Sequence, residues 1–280
     1  MDIVSRARGL VDLSRPGNAV AAGVLTFVGA FVAGGVIARP WHAGAAIAAT
    51  VLAVGAGNAI NDYFDRDIDR INRPDRPIPR GAVSPRGALA FSVVLFVVAV
   101  ALALTLPLLA VAIAAVNLVA LVVYTEWFKG LPGVGNAVVA YLGGSTFLFG
   151  AAAVGSIRPT VVLFVLAAVS TLTREIIKDV EDVEGDRAEG LSTLPIAIGE
   201  RRSLLVAAGL LVVAVIASPV PFVQRLFGAP YLAVVLPADA VMVYAARRSF
   251  DDPSAGQRLL KYGMFLATAA FVVGRVALIA

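Results

Sequence analysis

The chain has 280 residues, 59% hydrophobic and 15% charged, with a mean hydropathy of +0.88, which excludes an ordinary water-soluble domain and marks a polytopic membrane protein. The absence of cysteine excludes a disulfide framework and a thiolate site, and the single histidine, His42, cannot build a histidine metal centre. The net charge of +4 suits membrane orientation rather than nucleic-acid binding.

Residues 1–15 are mixed in charge and lack an apolar core, so no cleaved signal is expected there. Stretches of about 20 apolar residues then predict an all-α bundle of nine transmembrane helices: 17–38, 43–62, 87–105, 107–125, 136–155, 159–178, 202–219, 229–246 and 258–279. The connections alternate in charge. Those at 63–86, 126–135, 179–201 and 247–257 carry most of the basic residues, whereas the opposite ones, near 39–42, 106, 156–158 and 220–228, hold only Arg39, Arg158 and Arg225. The positive-inside rule therefore predicts a cytoplasmic N-terminus, cytoplasmic charged loops and an external C-terminus. Glycines such as Gly29, Gly34, Gly35, Gly55, Gly57, Gly143, Gly144 and Gly150 are read as close helix contacts.

One spacing occurs twice. Asp62, Asp65 and Asp69 precede Arg70, and Asp179, Asp182 and Asp186 precede Arg187 in the same pattern. On an α-helix, positions i, i+3 and i+7 fall within an arc of about 60°, so each set forms one carboxylate stripe at the cytoplasmic end of a span. Asn58 joins the first stripe, Asn61 flanks it and Glu175 joins the second, while Asp67 points away. Each stripe is followed by a proline-containing basic loop and another apolar span, as in Pro77-Ile78-Pro79-Arg80-Gly81 and Leu194-Pro195-Ile196. Two parallel half-repeats, about 1–135 and 136–280, are expected to form a pseudo-symmetric bundle. Facing each other across a cavity, the rows would share divalent cations. Oxygen ligands alone suit Mg²⁺, which is commonly held by a few carboxylates together with phosphate oxygens. Ionisable residues at the end of a span are functional by default.

Basic side chains at the same membrane face fit a phosphate-bearing ligand: Arg70, Arg73, Arg76, Arg80, Lys129, Arg174, Lys178 and Arg187. Arg174 and Lys178 stand out because they share a helix with the second row. Taken singly, any of these residues also serves as a positive-inside anchor.

The Asn61-Asp62-x-x-Asp65-x-x-x-Asp69 row, the Lys178-Asp179-x-x-Asp182-x-x-x-Asp186 row and the nine-span plan resemble the UbiA superfamily of intramembrane prenyltransferases over essentially the whole chain. The stretch from Ile68 to Gly81 is most similar to an archaeal ether-lipid branch. The resemblance implies a single transmembrane domain with a central lipid-open cavity. Asn58, Asn61, Asp62, Asp65, Asp69, Asp179, Asp182 and Asp186 would hold two Mg²⁺ ions against an allylic diphosphate. Asp62, Asp65, Asp69, Asp182 and Asp186 would carry catalysis, with Arg70, Arg73, Lys129, Arg174 and Lys178 on the diphosphate and Asn18 near the acceptor.

The implied reaction moves a geranylgeranyl group from geranylgeranyl diphosphate to the glycerol hydroxyl of geranylgeranylglyceryl phosphate, a lipid-like phosphorylated acceptor, within the membrane. An aromatic prenyltransferase acting on a quinone precursor is the competing reading within the superfamily, and an ion transporter or channel the competing reading outside it. A CDP-alcohol phosphotransferase is excluded because neither row contains its D-G-x-x-A-R core.

Overall fold

The computed structural model describes residues 3–128, 131–188 and 190–280, and these are helical with no strand. A short surface helix, α1 (Ile3–Ser14), leads into α2 (Pro16–Ala33) and α3 (Pro40–Phe64), which continues into α4 (Arg66–Asn72). The first half goes on through α5 (Pro85–Ala103) and α6 (Leu108–Val123) to a π-helical turn, Tyr124–Phe128. Next come α7 (Val134–Ala153), then α8 (Val161–Glu181) behind a 3₁₀ turn, and the short α9 (Val183–Ala188) and α10 (Leu194–Ile198). The chain closes with α11 (Glu200–Ala217), α12 (Val220–Val223), α13 (Ala229–Arg248) and α14 (Pro253–Ile279).

Proline in the first turn starts many of these helices, where its missing N–H costs no hydrogen bond. Side-chain caps add to this at Ser84, which accepts from the Gly87 amide at 3.1 Å, and at Asp252, which accepts from the Ala255 amide at 2.9 Å.

Among the described residues, eight helices are long and apolar enough to cross a membrane, and the chain is a multi-pass membrane protein. The ninth expected span, 107–125, is represented by α6, with only 16 residues. At 1.5 Å per residue it covers about 24 Å, short of the roughly 30 Å hydrocarbon core. The chain there widens into the π turn that continues from Val123, and the expected count of nine spans is not confirmed.

Val93, Val94, Val97 and Val100 of α5 are exposed, as are Val212, Val213 and Ile216 of α11. Such apolar outer faces are suited to lipid. Inside, small residues let backbones meet. A Cβ on Gly29 of α2 would strike the Phe147 carbonyl of α7, and one on Gly150 of α7 would strike the Thr26 carbonyl of α2. These two contacts lock α2 and α7 together. Gly57, by contrast, has open space around it, so close packing explains only some of the glycines. Further packing joins α7 to α8, α8 to α11 and α14, and α14 back to α2.

The second half holds the larger aromatic core. The rings of Phe227, Tyr231 and Phe271 meet pairwise at centroid distances of 5.1–5.8 Å. The buried Tyr231 hydroxyl donates to the Ser218 carbonyl at 2.7 Å, and the Ser218 hydroxyl donates to Asp239 at 2.5 Å. A cavity of about 120 Å³ lies between α2, α7, α8, α11, α13 and α14 and is walled mainly by apolar groups such as Leu25, Phe147, Leu163 and Phe271.

Candidate active site

Each carboxylate row straddles a helix break, a refinement of the single continuous stripe expected from spacing. Asp65 stands between α3 and α4 with φ −80° and ψ 0°, and Asp182 stands between α8 and α9 with φ −95° and ψ 5°. The middle carboxylate of each row thus occupies the same local geometry. The backbone hydrogen bonds run through both breaks: the amides of Asp65 and Asp69 donate to the carbonyls of Asn61 and Asp65 at 2.9 and 2.8 Å, and the amides of Asp182 and Asp186 to those of Lys178 and Asp182 at 2.9 Å. Because i→i−4 bonding persists, the periodicity that lines up the carboxylates survives the bend.

The first row is closely neutralised. Asp62 and Asp69 are buried at 3% and 5% exposure. One guanidinium nitrogen of Arg76, Nη1, lies 2.5 Å from Asp69 and 3.3 Å from Asp62, and Arg15 Nη2 reaches the same Asp62 oxygen at 2.5 Å. Burying carboxylates in an apolar bundle demands such countercharge. Asp65 and Asn61 are exposed, and the Asn58 amide donates to the Ser14 carbonyl at 3.0 Å. That bond brings the end of α1 against the row, and Leu13 packs there with Ala59, Ile78, Val83 and Ala88. Arg80, paired with Asp12 at 2.5 Å, ties the following loop to the same helix.

The second row is more open. Asp179 accepts from the Asn136 amide of α7 at 2.8 Å, and Asp182 meets Lys178 at 3.6 Å with both side chains about half exposed. Glu175, Lys178 and Asp186 lie within charge range of Asp179. Tyr124, at the start of the π turn, feels both Glu175 and Asp179, so the turn delivers a phenol to this row. π-Helical segments of this kind recur at functional positions. Arg174 pairs with Glu175 at 2.8 Å, leaving its own Nε buried with no hydrogen-bond partner.

The other expected residues are distributed as follows. Arg70 pairs with the exposed Asp67 at 3.1 Å, and Arg73 is exposed just after α4. Asn18 is exposed in the first turn of α2. Lys129 lies outside the described residues. Among the described residues, no three of the carboxylates converge closely enough to hold a metal ion as they stand. Spacing alone does not single out Arg15, Asn136 or Tyr124 as neighbours of the rows, and Arg76, expected on the phosphate ligand, is found on Asp62 and Asp69 instead. A visible signal exists for Asn136, a lone amide in the first turn of an apolar span.

Two helix ends, each broken at an acidic residue and flanked by basic side chains, combine hard oxygen donors with guanidinium and ammonium groups, a chemistry suited to a cation and an anionic ligand. The model of the UbiA prenyltransferase family matches residues 22–269, and the chain belongs to that family. It is 68% identical to the digeranylgeranylglyceryl phosphate synthase of Natronomonas pharaonis over 99% of this chain and 100% of that protein. It is 65% identical to the enzyme of the same name from Halobacterium salinarum, over 96% and 97% of the two chains. A solved structure concerning digeranylgeranylglyceryl phosphate synthase in membranes superposes with a TM-score of 0.87 at 34% identity, covering 97% of this chain and 99% of that one. A UbiA homologue from Archaeoglobus fulgidus bound to GPP and Mg²⁺ shares the fold, with a TM-score of 0.72 at 19% identity over 97% and 100% of the chains.

Proposed function

We propose that the chain transfers a geranylgeranyl group from geranylgeranyl diphosphate to the free glycerol hydroxyl of geranylgeranylglyceryl phosphate, releasing pyrophosphate and making the second ether bond of an archaeal membrane lipid. The observation that carries this reading is identity of 68% across the full length of a relative that bears the name of that synthase.

The carboxylate rows suit Mg²⁺. Two carboxylates of the first row already converge on one point charge, Arg76 Nη1, and the donors are hard oxygens. In our reading two ions are held, with Asn58, Asn61, Asp62, Asp65 and Asp69 contributing on one side and Asp179, Asp182 and Asp186 on the other. When bound, Mg²⁺ supplies positive charge to the departing diphosphate oxygens.

The chain's own groups do the rest. Arg174 brings an unsatisfied Nε donor to the anion, and Lys178 stands one turn away on the same helix. Arg70, Arg73 and Lys129 complete the proposed diphosphate set. As the C–O bond of the allylic diphosphate breaks and pyrophosphate leaves, the acceptor hydroxyl oxygen bonds to the freed carbon. A row carboxylate takes its proton, and Asn18 orients the acceptor. Apolar walls keep water from the allylic cation. The cavity reaches Ser170, nine residues before Asp179 on α8, which is about 13 Å deeper along the helix and a suitable depth for an isoprenoid tail.

The same reading makes the chain one domain of two half-repeats, about 1–135 and 136–280, a division supported by the matching breaks at Asp65 and Asp182. It also places the N-terminus and both rows on the cytoplasmic side and the C-terminus outside.

The test offers purified protein geranylgeranyl diphosphate, Mg²⁺ and either geranylgeranylglyceryl phosphate or a hydroxybenzoate or dihydroxynaphthoate acceptor. Ether product with pyrophosphate is expected from the first, and product on the aromatic acceptor alone would overturn the assignment. Asp62→Ala and Asp182→Ala should each abolish turnover while the protein still folds in detergent. Near-normal turnover by either variant would sink the two-row mechanism.

A further inference from the structure

We propose that Arg15 and Arg76 act as an internal cation that occupies the first carboxylate row until metal and diphosphate arrive together, so that the two ligands bind as a coupled pair. This rests on the prenyltransferase reading above and concerns how that site is loaded.

The two arginines converge on a single atom, Oδ1 of Asp62, at 2.5 and 3.3 Å, and Arg76 also holds Asp69 at 2.5 Å. Two guanidinium groups against two buried carboxylates make a locally neutral cluster. Arg15 reaches it from an unusual backbone. Its φ of 47° and ψ of 67° lie in the left-handed region, which residues with a Cβ rarely adopt. The bend falls where α1 turns into α2, a junction pinned by the Asn58 to Ser14 hydrogen bond and by the Asp12–Arg80 pair. The chain thus accepts a strained residue at the one place from which its side chain neutralises Asp62.

A divalent ion seeking Asp62 and Asp69 has to displace both guanidinium groups. If it comes alone, the displaced cations stay beside it, and their repulsion opposes binding. A diphosphate removes that conflict, because its oxygens accept hydrogen bonds from the released guanidinium forks. Metal then raises the affinity for diphosphate, and by linkage diphosphate raises the affinity for metal by the same factor. Arg15 and Arg76 are therefore positioning residues that exchange a carboxylate partner for a phosphate partner. Asp182 of the second row meets only a half-exposed lysine at 3.6 Å among the ion pairs of the described residues, a contact that offers a metal little resistance.

The experiment titrates the full-length purified protein with Mn²⁺, read by the electron paramagnetic resonance of the free ion, without and with a saturating thiolo analogue of geranylgeranyl diphosphate that does not turn over. For the wild type the analogue should tighten Mn²⁺ binding at the weaker site by about tenfold or more. In the Arg15→Gln, Arg76→Gln double variant, Mn²⁺ alone should bind that site more tightly than in wild type, and the coupling should shrink below about threefold. Arg15→Gln by itself, made at a partly exposed side chain, should move both quantities in the same direction and supplies the comparison if the double variant does not fold. Arg15→Lys, which keeps the charge, should retain most of the coupling. Coupling in Arg15→Gln equal to that of wild type, or weaker Mn²⁺ binding in the absence of analogue, would overturn the proposal. Wild-type protein that binds both ligands independently refutes the exchange while leaving the prenyltransferase reading intact. Wild-type protein that binds neither refutes both.

Discussion

Asp62 and Asp179 open their respective rows, yet they are held by different chemistry. Asp62 is met by two guanidinium groups, and Asp179 by a neutral amide. The amide fixes the carboxylate without competing for a cation's charge. A hydrogen bond to a charged group is worth about 1.5–3 kcal/mol, so Asn136→Leu should lower kcat/KM by about tenfold or more at limiting Mg²⁺, with partial relief at high Mg²⁺. Steady-state kinetics across a Mg²⁺ series check this, and a variant indistinguishable from wild type at all concentrations would remove Asn136 from the site. At this scale legibility depended on distance along the chain. The aspartates could be grouped because offsets of three and four are a local property of helices. That Arg15 pairs with Asp62, 47 residues away, follows from how α1 folds back on α3, and no local pattern encodes it.

Among the elements, the spans were readable because long apolar runs have a single structural solution in lipid. The breaks at Asp65 and Asp182 were not, since the backbone bonds continue through them and the letters on either side keep helical spacing. Nor did the count of glycines separate contact from filler. Gly150 lies directly against the Thr26 carbonyl, whereas Gly209 of α11 has nothing within 4 Å of a would-be Cβ. Gly150→Val should therefore force α2 and α7 apart and destabilise the bundle by about 1–3 kcal/mol. Gly209→Ala should be neutral or stabilising, by up to about 1 kcal/mol, because alanine loses less backbone freedom in a helix. Thermal unfolding of the two variants in the same detergent provides the comparison, and equal midpoints would contradict the packing of α2 on α7.

Over the whole molecule, the charged connections and both rows were expected on one membrane face, and the absence of cysteine makes that orientation simple to test. Asp75→Cys, in the exposed loop after the first row, and Gln224→Cys, just after α12, each create a single thiol. In right-side-out vesicles a membrane-impermeant maleimide should label the second and leave the first unlabelled until the membrane is opened. The opposite pattern would invert the topology. The bends at Asp65 and Asp182 also govern how the chain tolerates changes in length. Helical bonding carries on across each bend, so one residue inserted between Asp62 and Asp69 turns everything after it by about 100° and takes Asp69 out of line with Asp62, which Arg76 bridges to it. The same insertion at the exposed residues 73–75 leaves both rows in phase. Length changes are therefore confined to the connections, and each row behaves as a ruler whose graduations matter as much as the residues marked on it.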